Sequence, residues 1–297
     1  MLSRSRLCLP ILRLSSQINF RHAWFYRREN FIMNRNLLNS EILDAELQLA
    51  LRVADAADAV SLAGFKSRSF SVMRKADKSE VTEIDRATET AITNILRLER
   101  PEHSVYGEEY GIIGPADAKF QWVIDPIDGT SNFVRGVPVW ASLIALVHDN
   151  LPVLGVVSAP AMKMRWWAHI DSAAFFNGSK INVSSIDELR RASLSITVNK
   201  PWRDFDTGGS LEKLQRGVSR VRGYGDFWQH MLVAQGAVDV AIDSIGLAPY
   251  DIAALMPIVQ RAGGRCSDRL GENNWRANSL ITSNSLLHDA ALAHLPK

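Results

Sequence analysis

The chain has 297 residues, of which 46% are hydrophobic and 22% are charged, a composition typical of a folded domain and unlike that of disordered or collagen-like proteins. The formal net charge is only +2, and much of the basic excess lies in the first residues, so we expect no nucleic-acid partner for the main body. No apolar run reaches the ~18 residues of a membrane-spanning helix, and Cys8 and Cys266 cannot build a disulfide framework, which together favour a cytoplasmic protein without a membrane partner.

The N-terminal stretch differs in composition from the rest. Met1 to Phe31 contains six arginines and a single acidic residue, Glu29. A basic, serine-bearing, acid-poor stretch is typical of an organelle transit peptide, mitochondrial or plastid. The alternative is that translation starts at Met33. Under either alternative residues 1–32 lie outside the fold, and residues 33–297 form a single domain with subdomains of about 33–183 and 184–297.

Helical periodicity begins after Asn39. Ser40 is the expected N-cap of a helix that runs to about Ala63 and ends at Gly64. A second helix is expected from Thr82 to Leu98, opened by Thr-x-x-Asp as a variant of the capping box. The strands expected next are His103–Tyr106, Gln121–Asp125, Ala141–His148, Leu151–Ser158, Met164–His169 and Ala173–Phe176, with turns at Asp149–Asn150 and Asn177–Gly178.

Beyond Ser184 strands and helices alternate. The expected order is strand Leu194–Val198, helix Gly208–Arg216, strand Ser219–Gly223, helix Phe227–Gln235, strand Val238–Ile242, helix Asp251–Ala262 and a strand at Leu280–Ser283. An antiparallel first part followed by a βαβ-like second part predicts an α+β protein.

The segment Trp122-Val-Ile-Asp-Pro-Ile-Asp-Gly-Thr-Ser-Asn-Phe133 places acids at the end of a strand. Asp125 ends the strand, Pro126 interrupts its hydrogen bonding, and Asp128 follows before a turn at Gly129 and a helix at Thr130. Carboxylates hold hard cations such as Mg²⁺, and free helix amides hold a phosphate. Taken alone, a strand, turn and helix in which Asp128 is only an N-cap explains the pattern equally well.

Three further acids occupy comparable positions. Glu108 follows the strand ending at Tyr106, Asp251 opens a helix, and Asp85 closes Val81-Thr-Glu-Ile-Asp85. For any one of them, a helix cap or a solvated surface acid is the commoner explanation.

Taken together, the segments resemble the inositol monophosphatase family of magnesium-dependent, lithium-sensitive phosphatases. The resemblance rests on Gly107-Glu-Glu109, on Trp122 to Phe133, and on Tyr250-Asp-Ile-Ala-Ala254 with Ala262-Gly-Gly264, in that order, and it spans about Met33 to the C-terminus. One departure is Tyr250, where the family usually has tryptophan. The resemblance implies a layered αβαβα sandwich with an antiparallel sheet in the first half and a mixed sheet in the second, and a homodimer.

The resemblance also implies a site for two or three Mg²⁺ ions. Glu108, Asp125 and the carbonyl of Ile127 would hold the first ion, Asp125, Asp128 and Asp251 the second, and a third would lie near Glu108. Thr130, hydrogen-bonded to Asp85, would orient the attacking water, with Glu108 as the third catalytic residue and Lys75 nearby. The residues expected to contact substrate are Ile127, Asp128, Gly129, Thr130, Arg222, Asp226, Asp243 and Asp251.

The organic part of the substrate must be inferred from other residues. The segment from Arg222 to His230 resembles the histidinol-phosphatase branch of the family, and Asp226 and Asp243 suit a cationic amino alcohol or imidazolium. A surface position for Arg222 and a helix cap for Asp226 stay open as alternatives. The sequence therefore predicts hydrolysis of histidinol phosphate. Inositol monophosphate, a bisphosphorylated nucleotide and fructose bisphosphate are the alternatives within the class, and a regulatory partner of a transcription complex is the alternative outside it.

Overall fold

The computed structural model of the protein describes residues 38–75 and 79–296. The expected extension of residues 1–32 lies outside this range. The described residues up to Ile42 belong to one unit, and those from Leu43 onward form a second, compact unit. The subdomain boundary near residue 183 stays a prediction. None of the helices within the described range is both long enough and apolar enough to cross a membrane.

The helices are α1 (Ser40–Ser67), α2 (Glu83–Glu99), α3 (Thr130–Arg135), α4 (Lys200–Phe205), α5 (Ser210–Gly217), α6 (Asp226–Ala234), α7 (Pro249–Ile252), α8 (Leu255–Arg261) and α9 (His288–Leu292). The strands are β1 (Val72–Arg74), β2 (Glu80–Thr82), β3 (Ser104–Gly107), β4 (Gly111–Ile113), β5 (Phe120–Asp128), β6 (Ala141–His148), β7 (Leu151–Ala159), β8 (Met164–His169), β9 (Phe175–Phe176), β10 (Ser179–Lys180), β11 (Ser193–Ile196), β12 (Arg220–Arg222), β13 (Val240–Ile242), β14 (Arg265–Ser267) and β15 (Ile281–Ser283).

Two sheets form the frame. The larger has the strand order β10-β9-β8-β7-β6-β5-β3-β4, antiparallel except that β3 runs parallel to β5. The smaller has the order β12-β11-β13-β15-β14, with β11 parallel to both of its neighbours. The predicted antiparallel first half and mixed second half are confirmed, apart from the parallel β3–β5 pair.

The helices pack in layers on these sheets. Because side chains alternate across a strand, Arg165 of β8 pairs with Asp55 and Asp58 of α1 on one face, whereas the neighbouring Trp166 packs in the core with Phe227 of α6 on the other. The core between the sheets contains residues of α6 and α8, and a separate core joins the smaller sheet to α4, α5 and α9. This is the αβαβα sandwich expected from the resemblance.

The first two helices show where capping could be predicted. Thr82 caps α2 and forms the expected capping box with Asp85. In α1, however, the side chain of Asn39 accepts a hydrogen bond from the N–H of Ile42 at 2.9 Å, so the cap is Asn39 and not Ser40. The prediction that Gly64 ends α1 is also wrong, because the helix continues to Ser67. Gly64 lies where Ile84 of α2 packs against α1. A Cβ added to Gly64 would lie only 2.7 Å from the side chain of Ile84.

Several boundaries in the second half also differ from the predictions, and two of these differences have a cause in the structure. The helix expected over Asp251–Ala262 is two helices, α7 and α8, and the backbone carbonyl of Ala254 at their junction packs on Gly155 of β7. The strand expected to reach Val198 ends at Ile196, because Asn199 already caps α4, which was not predicted. The first difference depends on a contact between distant segments, whereas the second depends on the local capping of α4.

The close packing of β7 on the α7–α8 junction is testable. A Cβ on Gly155 would lie 2.0 Å from the carbonyl oxygen of Ala254, a clash that the backbone must relieve. We expect Gly155→Ala to lower the free energy of unfolding by about 1–3 kcal/mol, the usual range for an overfilled core. Urea unfolding of the variant and the parent measures this change in the free energy of unfolding. The matched control is Gly217→Ala, where nothing lies within 4 Å, and equal stability of the two variants would contradict the close packing.

Candidate metal centre and phosphate site

Three aspartates from two elements meet at the end of β5. Asp125 and Asp128 lie on either side of an irregularity in the pairing of β5 with β6, and such bulges redirect side chains. Asp251 lies in α7. One carboxylate oxygen of each lies within 4.8 Å of those of the other two, so one cation can contact all three.

Glu108 lies at the edge of this group. It directly follows β3, and its N–H donates to the carbonyl of Ile124 in β5 at 3.2 Å. Its carboxyl group lies beside that of Asp125, whose pKa is raised by burial and, next, by the charge of Glu108. Lys75 lies 2.7 Å from Glu108 and 2.6 Å from Glu109. The structure therefore brings Lys75 and Glu108 to the site as an ion pair.

Burial and, next to it, the crowding of acids raise the pKa values of the three aspartates. Burial is the largest cause for Asp125 and Asp128, whose pKa values lie well above the usual range, and the charges of neighbouring carboxylates raise them further. Burial likewise raises the pKa of Asp251 to about 7, although the N–H of Ala248 donates to it at 2.7 Å. In the described part of the chain, no ion pair joins a lysine or arginine to these three aspartates.

This donor set fits a divalent cation. All its side-chain ligand atoms are carboxylate oxygens, which are the ligands that Mg²⁺ prefers. Burial and the neighbouring carboxylate charges raise the pKa values of Asp125 and Asp128 well above their usual range, so the ionised group lacks compensating positive charge. A cation would supply that charge without requiring protonation.

Thr130 and Asp85 are in contact across the site. The hydroxyl of Thr130 lies 3.0 Å from Oδ1 of Asp85 and 2.9 Å from the carbonyl oxygen of Ile127. The other oxygen of Asp85 accepts the N–H of Thr82 at 2.9 Å in the capping box. Burial raises the pKa of Asp85, and these hydrogen bonds oppose the rise. The start of α2 therefore fixes the side chain that orients Thr130.

The backbone between Asp125 and Thr130 is held by local hydrogen bonds. The N–H of Ile127 donates to Oδ1 of Asp125 at 3.0 Å. Gly129 has a φ of +85°, a conformation that favours glycine, and no side chain caps the first turn of α3 that follows it. The backbone amides of Gly129 and Thr130, expected to bind phosphate, therefore lie directly after Asp125 and Asp128.

Asp226 turns toward the site rather than onto its own helix. Gly225 occupies the N-cap position of α6 and no side chain caps it, so the expectation that Asp226 is a helix cap is wrong. Its Oδ2 instead accepts a hydrogen bond from the side-chain amide of Asn132 at 2.9 Å. The next backbone N–H, that of Phe227, donates to Asp128 at 2.8 Å. A backbone hydrogen bond therefore links the start of α6 to Asp128.

Asp243 lies behind Asp226 and is held by its own hydrogen bonds. One oxygen accepts the N–H of Ser244 at 2.7 Å, and the other lies 3.1 Å from Nε2 of the fully buried His230. Burial and, next, the charge of Asp243 raise the pKa of Asp226 to about 6. A second group of acids therefore lies beside the first.

Arg222 shows no contact with the site. Its side chain is exposed, and Nη1 donates to the backbone carbonyl of Val221 at 2.7 Å. Sequence reasoning overlooked Asn132 and His230, which hold Asp226 and Asp243. Asn132 lies within the motif and was open to prediction, whereas nothing in the sequence around His230 indicates its partner Asp243.

Comparisons with known proteins identify the family. Residues 39–297 match the model of the inositol monophosphatase family. The chain belongs to the inositol monophosphatase family. It is 43% identical over 255 residues to a histidinol-phosphatase of Mycobacterium tuberculosis, covering 84% of this chain and 97% of that protein. It is 41% identical over 259 residues to the histidinol-phosphatase of Streptomyces coelicolor, covering 84% and 96%.

A solved structure supports the fold. The IMPase of Thermotoga maritima superposes with a TM-score of 0.75 at 33% identity, covering 84% of this chain and 96% of that one. The predicted family and α+β sandwich are thereby confirmed, and the chain is a phosphatase. The expected homodimer and cytoplasmic location stay predictions.

The raised pKa values of the three aspartates predict how stability depends on pH. The pKa values of Asp125, Asp128 and Asp251 are higher in the folded protein than their usual values. The folded state therefore binds more protons than the unfolded one. The contribution of these groups to the free energy of unfolding falls as the pH rises from about 4 to about 7 and above. Without divalent cations, we expect the melting temperature of Asp128→Asn to rise relative to that of the parent as the pH rises. Added Mg²⁺ should stabilise the parent most at the upper end of this range.

Comparing the two proteins at each pH cancels contributions from elsewhere. His103 and His288, whose pKa values burial lowers to about 4, act in the opposite direction. Calorimetric scans in chelator and in Mg²⁺ measure both effects. A difference in melting temperature between Asp128→Asn and the parent that stays constant with pH would contradict the raised pKa values of the aspartates.

Proposed function

We propose that this phosphatase is a Mg²⁺-dependent histidinol-phosphatase, which hydrolyses histidinol phosphate to histidinol and phosphate. The observation that carries the proposal is a second acidic group, Asp226 and Asp243, directly beside the three aspartates. One acidic group suits metal ions and a phosphate, and the other suits a cation on the same small molecule. The identity of 43% to a protein named histidinol-phosphatase supports this substrate.

The proposed ligands of two to three Mg²⁺ ions are Asp125, Asp128, Asp251, Glu108 and the carbonyl of Ile127. Bound Mg²⁺ supplies positive charge that neutralises the phosphoryl oxygens and the leaving oxygen. For Glu108 to act as a ligand, its carboxylate must exchange some of its contact with Lys75 for the metal. Lys75 then stays close enough to offset negative charge on the phosphate.

Residues of this chain position the water and the phosphate. The Thr130 hydroxyl donates its hydrogen to Asp85, which leaves a lone pair to accept a hydrogen bond from the attacking water. The amides of Gly129 and Thr130 donate to the phosphate. The water oxygen forms a bond to phosphorus as the ester P–O bond breaks. The water gives up one proton to the solvent, and the leaving alkoxide takes one up from the solvent to become the alcohol. No side-chain nucleophile is required.

The organic part of the substrate would lie toward Asp226. Histidinol phosphate carries an ammonium group and an imidazole, and a cation beside Asp226 and Asp243 relieves the repulsion that raises the pKa of Asp226. A neutral inositol ring offers no such compensation. Charge-assisted hydrogen bonds are stronger than neutral ones, so the pair favours the cationic ester.

The direct test compares substrates on the purified protein. Phosphate release from histidinol phosphate and inositol 1-phosphate is measured with Mg²⁺ and again after chelation. We expect higher kcat/KM for histidinol phosphate and no turnover in chelator. A preference for inositol 1-phosphate would favour the inositol phosphatase alternative, and no turnover of any phosphate ester would favour the regulatory one.

The metal ligands are tested by Asp125→Asn. Asp125 lies beside Glu108, and one of its oxygens lies within 4.8 Å of one of Asp251, so its charge acts on the ions proposed next to both. Because even residues outside the ligand set typically change activity by about 10–100-fold, we expect kcat to fall by more than about a hundredfold. Circular dichroism should show an intact fold. The control is Asp117→Asn, an exposed acid between β4 and β5. Turnover of Asp125→Asn close to that of the control would refute the metal-assisted mechanism.

Substrate choice is tested by Asp226→Asn. Losing a hydrogen bond to a charged group typically costs about 1.5–3 kcal/mol. We therefore expect kcat/KM for histidinol phosphate to fall roughly ten- to a hundredfold, with little change for glycerol 2-phosphate, which lacks the cation. Steady-state kinetics on both esters measures this. Equal losses on the two would show that Asp226 serves the metal site instead, and no loss on either would show that it does not bind the substrate.

A further inference from the structure

Glu89 of α2 is a buried acid to which the proposed mechanism gives no role. It is 1% exposed and follows Asp85 by four residues, so the two carboxylates lie on the same face of the helix, one turn apart. Within the described residues, Glu89 forms no ion pair with a lysine or arginine. A buried carboxylate without a cation is costly unless hydrogen bonds compensate, so its partners indicate what it does.

Those partners are two consecutive backbone amides beside the metal site. Oε2 of Glu89 accepts the N–H of Glu109 at 2.8 Å, and Oε1 accepts the N–H of Tyr110 at 3.1 Å. Both amides belong to the turn between β3 and β4, directly after Glu108. The carboxylate thus binds the backbone of the turn that presents this proposed metal ligand.

The turn is fitted closely around the carboxylate. A Cβ on Gly107 would lie 1.8 Å from Oε1 of Glu89, so only glycine leaves room for it there. On the other side, the N–H of Glu108 donates to Ile124 of β5 at 3.2 Å. The backbone on both sides of Glu108 is therefore fixed, by a helix and by a strand.

We propose that Glu89 is a positioning residue for metal binding, because it holds the β3–β4 turn so that Glu108 lies against Asp125. The inference rests on the proposed role of Glu108 as a Mg²⁺ ligand. Asp85 and Glu89 lie on one face of α2. Asp85 contacts Thr130, and Glu89 holds the turn that carries Glu108. The water-orienting hydroxyl and the edge of the metal site then keep their spacing because a single helix holds both.

The test is Glu89→Gln, which keeps the shape of the side chain. Glutamine offers one acceptor oxygen, and its amino group would face the second backbone N–H. Residues that orient metal ligands typically change metal affinity by about 10–100-fold, so we expect calorimetric titration of the metal-free protein to show Mg²⁺ binding weakened by that factor. The Mg²⁺ concentration for half-maximal turnover should rise in parallel, with the KM for the phosphate ester unchanged at saturating Mg²⁺.

The matched control is Glu46→Gln. Glu46 is also a buried helical carboxylate, 5% exposed, but it pairs with Arg100 at 2.7 Å, away from the site. We expect this variant to lose melting temperature and to keep the parental Mg²⁺ affinity. Parental affinity in Glu89→Gln would overturn the inference. Absence of Mg²⁺ binding by the parent protein itself would instead overturn the proposed function.

A second measurement needs no variant and applies even if Glu89→Gln does not fold. Hydrogen exchange of the parent protein reports on the two amides that Glu89 accepts. We expect the N–H groups of Glu109 and Tyr110 to be protected to the same degree as the buried face of α2. Exchange as rapid as in an exposed turn would overturn the inference.

Discussion

The mutual repulsion of buried carboxylates at the end of β5 is the constraint on which the rest of the structure depends. Asp125, Asp128 and Asp251 have oxygens within 4.8 Å of one another, and no basic side chain among the described residues pairs with them. The fold offsets part of this cost with backbone hydrogen bonds. Each aspartate accepts one backbone N–H, and the donors are, respectively, Ile127, Phe227 and Ala248. The acids are therefore fixed in place while their charges stay uncompensated, an arrangement that suits a site for divalent cations.

The layered architecture explains how distant segments reach this point. The larger sheet supplies Asp125 and Asp128, and the helices between the sheets supply Asp226 and Asp251 at their first turns. The outer helix α2 approaches from the opposite face with Asp85. Each element presents its acid at or near an end, where the backbone changes direction. Close packing, as at the α7–α8 junction on β7, holds these ends together.

The second acidic group gives the site its proposed selectivity. Asp243 is bonded to a buried histidine and to a backbone amide, so it is more fixed than Asp226, whose carboxylate is held by the single side-chain amide of Asn132. Burial and, next, the charge of Asp243 raise the pKa of Asp226. A cationic group on a phosphate ester would be attracted to this pair, whereas a neutral polyol would have to leave it uncompensated. Substrate choice would then follow from the same electrostatics that favour metal binding.

The sequence by itself determined the family, the two kinds of sheet and the acids near Asp125, because hydrophobic periodicity and the motif from Trp122 to Phe133 depend on neighbouring residues. It also predicted the capping box of α2, a local interaction between Thr82 and Asp85. Only the tertiary structure decided what lies across the fold: that Asp226 turns to Asn132 instead of capping its helix, and that Glu89 holds the turn after Glu108. These contacts join residues 94 and 20 positions apart. Chain spacing carries no information about them, since they exist only once the sheets and helices have packed.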